Sequence, residues 1–118
     1  MAPVRVTSRF MDGGVQTPQV MVFDTVLNED SRMLNKPVFG YLTDDNDDDT
    51  KYPFIITFSH NIGDFDWGGY AEDGLVTSTN ILQHVIQVGE FFTRFEIDNG
   101  ETYEYTYCIT EINALCNH

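Results

Sequence analysis

Ser59, His60, Asp64 and Asp66 place a hydroxyl, an imidazole and two carboxylates in one short stretch, the residue types of a nucleophile, a general base and an orienting group. Nothing around them supports a triad. There is no nucleophile elbow, HExxH or glycine-rich phosphate loop, and closeness in sequence does not set catalytic geometry. The expected arrangement is a strand-end serine and histidine entering a polar loop. Asp64 and Asp66 read as a glycosidase pair only if their carboxyl groups are correctly separated, which a sequence does not fix.

The run Asp44, Asp45, Asn46, Asp47, Asp48, Asp49 has the oxygen ligands a hard cation needs. Its spacing does not fit an EF-hand. Counting from Asp44, the glycine position falls on Asp49 and the bidentate glutamate position on Ile55; counting from Asp45, they fall on Thr50 and Ile56. The run is therefore expected to be a solvated acidic loop. Cys116 and His118 are two metal-ligand types without a second pair, and Cys108 and Cys116 have neither metal nor redox spacing, so free thiols are expected. No catalytic residue, metal or cofactor is assigned.

The element that must organise the rest is the hairpin between Gln87 and Ile112, turning at Asn99-Gly100. A two-residue loop there would set Ile97 opposite Thr102 and Phe95 opposite Glu104, mixing apolar and polar faces. Parity instead favours a three-residue loop of Asp98, Asn99 and left-handed Gly100, which pairs Phe95 with Tyr103. Phe91, Phe95, Ile97, Tyr103, Tyr105, Tyr107 and Ile109 would then form the core face. Arg94 would pair with Glu104 on the other.

Alternation predicts further strands at Val4 to Phe10, Gln19 to Leu27, Val38 to Leu42 and Phe54 to His60. Met21, Phe23 and Leu27 oppose Val20, Val22 and Val26, as in a strand covered on both sides, and Asp24 in the valine phase is expected at a strand end or bulge. Asn28 to Lys36 predicts one or two helical turns stopped by Pro37, and Asn61 to Gly74 a long ordered loop; Val76 to Val88 fits either a strand leading into the hairpin, the preferred reading, or a helix capped by Asn80 with Ile81, Leu82, Val85 and Ile86 on one face. The tail after Ile112 is expected to fray. Together these predict one all-β, mainly antiparallel domain over residues 1–118, a small barrel or sandwich of six or seven strands with a C-terminal hairpin and at most one short helix.

Charge narrows the function. Nineteen acidic against six basic residues give a net charge of -13, and after residue 51 the only cationic residue is Arg94. Such a surface repels phosphate backbones and anionic lipid, so neither direct nucleic-acid binding nor a membrane role is expected. No apolar run has the length of a membrane span and no secretory signal is present, which predicts a cytoplasmic protein. The acids fall in three groups: Asp44, Asp45, Asp47, Asp48 and Asp49; Asp64, Asp66, Glu72 and Asp73; and Glu96, Asp98, Glu101 and Glu104. Held on three tips, these carboxylates would resemble the phosphates of a duplex. The expected function is that of a non-enzymatic acidic binding protein, an inhibitor or nucleic-acid mimic of the kind phage and mobile elements use, occupying a basic, nucleic-acid-binding surface of a partner protein.

Trp67, amid glycines and acids, is expected either to anchor that partner or to fold back over the core. The alternatives are a structural or assembly β-domain, for example of a phage particle, that self-associates as a homo-oligomer, and then a small hydrolase using His60 to Asp66.

Overall fold

The computed structural model describes residues 2–44, 49–70 and 75–115. Eight antiparallel strands form a closed up-and-down barrel in which each strand pairs with the next and the last returns to the first. They are β1 (Ala2–Asp12), β2 (Val15–Leu27), β3 (Val38–Thr43), β4 (Lys51–Ser59), β5 (Ile62–Asp66), β6 (Leu75–Thr79), β7 (Phe91–Asp98) and β8 (Glu101–Ala114). The all-β expectation holds, but the count of six or seven strands does not.

The extra strand is β5, within the stretch read as a loop. His60 and Asn61 have φ of 52° and 71°, forming a tight two-residue turn that pairs Ser59 with Ile62. A His-Asn turn lacks the glycine that marks such a bend in sequence. The expected strand from Val76 to Val88 stops at Thr79. The Asn80 side-chain oxygen accepts the Thr93 N–H at 3.0 Å, and a 3-10 turn, Ile81–Gln83, follows.

The helical turns expected at Asn28 to Lys36 are also absent. Asn28 Oδ1 accepts the N–H groups of Asp30 and Arg32, Ser31 has φ of 61°, and Leu27 bridges to Met33, so the segment bends back on itself. Asparagine's ability to hydrogen-bond nearby backbone prevails here over helix propensity. Asp24 is neither at a strand end nor in a bulge. It lies within β2 on the outer face, its carboxylate held by Arg5 at 2.8 and 3.0 Å. The tail expected to fray after Ile112 is held through Leu115, since Ala114 pairs with Val4 and the Leu115 N–H bonds the Pro3 carbonyl; residues 116–118 lie outside the described residues.

Strand alternation fills the barrel. Val4, Val6, Met21, Phe23, Val38, Phe54, Ile56, Phe92, Tyr107 and Ile109 are buried in one cluster. Each fully buried aliphatic or aromatic side chain contributes about 1.5 to 3 kcal/mol. At two points the packing leaves no space for a side chain: a Cβ on Gly40 would collide with the Val22 carbonyl and lie 2.8 Å from Phe23 Cβ, and one on Gly63 would lie 2.7 Å from Ile56 Cγ2.

The two ends of the barrel differ in chemistry. At one, the β2–β3 and β6–β7 connections supply Met33, Ile81 and Ile86 as a buried apolar plug, tied together by the Ile86 N–H on the Ser31 carbonyl at 2.8 Å. The opposite end carries the β1–β2, β3–β4, β5–β6 and β7–β8 connections. We call it the hairpin end.

Candidate functional site: the hairpin end of the barrel

The hairpin does not have the register that parity predicts. Asn99 and Gly100 have φ of 52° and 84°, both left-handed, in a two-residue loop closed by Asp98 and Glu101. Gly100 is left-handed as expected, but Phe95 lies opposite Glu104 and Arg94 opposite Tyr105. The parity argument required Arg94 to face solvent. Instead, Arg94 points into the barrel and is 2 % exposed.

Four contacts make that burial tolerable. The guanidinium lies over the Tyr105 ring at 4.3 Å and the Tyr107 ring at 5.8 Å, its Nε–H donates to the Tyr107 hydroxyl at 3.2 Å, and Nη1 pairs with the Glu96 carboxylate. The Tyr107 hydroxyl in turn donates to Gln19 Oε1 at 2.6 Å. Burial works against the charged guanidinium, yet the fields of Tyr107 and Glu96 and the hydrogen bonds to both raise its pKa above the ordinary arginine value. Among the described residues no buried side-chain polar atom lacks a partner. A barrel lumen therefore accepts a cation when aromatic faces and a carboxylate are built around it.

This register reassigns the hairpin acids. Glu96, expected at an exposed tip, is turned into the mouth and committed to Arg94. Asp98, Glu101 and Glu104 remain around the tip, the last two exposed. Glu101 Oε2 accepts the Tyr103 hydroxyl at 2.5 Å. That hydrogen bond raises the Tyr103 phenol pKa above its usual value.

The other acids divide between end and wall. Asp44 and Asp49 flank the β3–β4 connection at the hairpin end, and Asp44 Oδ2 accepts the Tyr52 hydroxyl at 3.3 Å. Asp45, Asp47, Asp48, Glu72 and Asp73 lie outside the described residues, in the connections that leave and re-enter this same end. Asp66 closes β5 there and accepts the Gly68 N–H at 2.9 Å. Asp64 is on the barrel wall, paired with Thr57 and Ser78, away from the tips. The up-and-down topology thus collects acidic segments that are far apart in sequence, a consequence that depends on the parity of the strand count.

Ser59, His60, Asp64 and Asp66 are not brought together in one group. Ser59 Oγ and His60 Nδ1 are 3.3 Å apart on an exposed turn at the plugged end, and no hydrogen bond joins either to Asp64 or Asp66. β5 carries Asp66 to the opposite end of the strand pair, level with Ile55. Among the described residues no three histidine, cysteine or acidic side chains converge as metal ligands, and Cys108 is a free thiol. Cys116 and His118 lie outside the described residues, as does most of the Asp44 to Asp49 run.

Trp67 folds back. Its ring stacks on Phe65 at 5.3 Å and meets Phe54 edge-on at 5.5 Å, and its Nε1–H donates to Thr77 Oγ1 at 3.0 Å. This closes a gap, because β5 and β6 pair only through Gly63–Thr79 and Asp64–Ser78. Beside Trp67 lies a surface hollow of about 390 Å³ lined by Phe39, Pro53, Phe54, Ile55, Asp66 and the Gly68-Gly69 backbone. Sequence reasoning missed it. Phe39 and Ile55 each belong to a hydrophobic run, and only the register that pairs them across β3 and β4 sets both outward.

The fold and site thus define a closed eight-stranded barrel with an apolar plug at one end and acidic connections at the other. Comparison with protein-family models, curated proteins and solved structures finds no match. No helix among the described residues is long and apolar enough to cross a membrane.

Proposed function

We propose that this chain is a non-enzymatic acidic binding protein that uses the hairpin end of its barrel to occupy a basic, nucleic-acid-binding surface of a partner protein. The observation that carries this reading is the difference in charge between the two ends. The β3–β4 and β5–β6 connections contain Asp44, Asp45, Asp47, Asp48, Asp49, Glu72 and Asp73 and no lysine or arginine, and Asp12, Asp98 and Glu101 border the turns beside them. The connections at the plugged end hold Glu29, Asp30 and Glu90 against Arg32 and Lys36, close to neutrality. A solubilising surface has no need to sort its charge in this way. Asp12, Asp98 and Glu101, carried on strands that are already fixed, attract a cationic surface at low cost in ordering.

The test is capture of a partner from host lysate at low and high salt, with a nucleic-acid duplex as competitor. Capture should fall steeply with salt, be displaced by the duplex, and be lost in Asp98→Lys with Glu101→Lys but retained in Glu29→Lys with Asp30→Lys. Capture that ignores both salt and the site of reversal would exclude the reading. The second reading, an assembly domain, draws on outward apolar side chains such as Phe39 and Val76 and requires concentration-dependent self-association.

A further inference from the structure

We infer that the hollow beside Trp67 is an apolar docking pocket for a partner segment that carries a leucine- or phenylalanine-like side chain flanked by lysine or arginine. The inference rests on the acidic-binding reading and gives it a specific contact. Phe39 is 59 % exposed and stands across from Ile55 on the outer wall, where Ile55 in turn pairs with Asp66. Two adjacent large apolar side chains facing outward, next to a concave space of about 390 Å³, are an anchor site that the fold itself does not require.

Charge selects the occupant. Among the described residues Asp66 is the only charged one lining the hollow. Its carboxylate is held in place by the Gly68 N–H, so it is aimed without further ordering. Arg5 is engaged with Asp24, and Lys51 lies over the Tyr41 ring at 4.7 Å. A basic segment crossing the hollow would meet Asp66 first and the acidic hairpin end next. A second hollow shares Phe39 as a wall and is lined by Pro3, Val26, Leu34, Lys36 and Leu115, with Asp24. Its lysine, and the pairing of its aspartate with Arg5, make it a poorer seat for a cation.

Trp67 forms the pocket wall and is the only tryptophan of the chain, so its fluorescence and indole N–H resonance report occupancy directly. The probes are three acetylated hexapeptides: Leu-Phe flanked on each side by two lysines, Ser-Ser flanked likewise, and Leu-Phe flanked by glutamates. The lysine-flanked Leu-Phe peptide should bind about tenfold or more tightly than its Ser-Ser counterpart, and the glutamate-flanked peptide should not bind. Phe39→Ser with Ile55→Ser should abolish that preference while leaving the weak affinity for the Ser-Ser peptide unchanged. Asp66→Asn, which keeps an oxygen for the Gly68 N–H, should weaken both lysine-flanked peptides.

Equal affinity for the Leu-Phe and Ser-Ser peptides, or a preference that survives Phe39→Ser with Ile55→Ser, overturns the pocket. Sedimentation showing a dimer that Phe39→Ser dissociates also overturns it, because a second copy would then fill the hollow. None of these results affects salt-dependent capture through Asp98 and Glu101, so failure of the pocket and failure of the electrostatic reading remain separate.

Discussion

The guanidinium of Arg94 lies 4.3 Å above the Tyr105 ring, inside the barrel. A buried cation whose carboxylate is only two residues away along the same strand stabilises one pairing of β7 with β8 and excludes the slipped one, in which Arg94 would leave its tyrosines for solvent.

Removing that cation should be expensive and removing the pair should not. Arg94→Met leaves the largely covered Glu96 carboxylate without its partner and should cost about 3 to 5 kcal/mol, measured by urea unfolding. Arg94→Met with Glu96→Met should recover most of the loss. Arg94→Lys should recover less, because an ammonium lacks the planar face that stacks on tyrosine. Since the folded pKa is raised above the ordinary arginine value, this contribution is complete below about pH 12 and lost only as pH rises through the folded value. Stability between pH 6 and 9 should not vary through Arg94.

Tyr103 offers a pH-dependent signal at the hairpin tip. Its phenol donates to Glu101, and the folded pKa lies above the ordinary tyrosine value. Any stabilisation it provides is therefore present below about pH 10 and lost as pH rises through the folded pKa. Carbon-13 ring resonances should show Tyr103 titrating later than a free tyrosine, and Glu101→Gln should shift that midpoint downward.

The turns invite a stabilising substitution. His60 has a left-handed backbone that costs an L-residue about 1 to 2 kcal/mol, while Asn and Gly tolerate it. His60→Asn with Asn61→Gly should raise stability by about 1 kcal/mol in a thermal melt, reproducing the turn chemistry of Asn99-Gly100. Gly100→Ala should lower it by a similar amount.

Gly40 marks the tightest approach between β2 and β3. Gly40→Ala would push its methyl group into the Val22 carbonyl, and the overpacking should cost about 1 to 3 kcal/mol. Hydrogen exchange should then accelerate first along Met21 to Asp24 and Phe39 to Leu42, where these strands pair.

The sequence made the strands visible wherever apolar residues alternated, as in β1, β2, β4 and the two arms of the hairpin. It concealed β5, because Ile62-Gly63-Asp64-Phe65-Asp66 carries glycine and acids in a strand whose Gly63 must be small to pass Ile56. It also concealed the hairpin register. Parity treats arginine and glutamate as outward residues, whereas the lumen takes both, Arg94 against Tyr105 and Tyr107 and Glu96 against Arg94. The Asn-Gly turn itself was the better guide, since a two-residue loop with both residues left-handed is what that dipeptide favours. The acidic tips were legible as sequence, but their presence at one end follows from strand order, which local patterns do not encode. Glu96 and Trp67 were both placed at the surface or the core by residue type alone. Glu96 meets Arg94 because both residues of β7 face the lumen, and Trp67 reaches Thr77 across the β5–β6 seam.

The apolar plug has a consequence for motion in solution. With Met33, Ile81 and Ile86 closing one end and Asp12, Asp98 and Glu101 bordering the turns at the other, the acidic-binding reading implies that the centre of negative charge is displaced along the barrel axis, giving the molecule a permanent electric dipole. In the field of a cationic body that dipole experiences a torque before contact is made. The barrel would therefore rotate during its approach and arrive end-on, so that a larger share of diffusional collisions begins in a productive orientation.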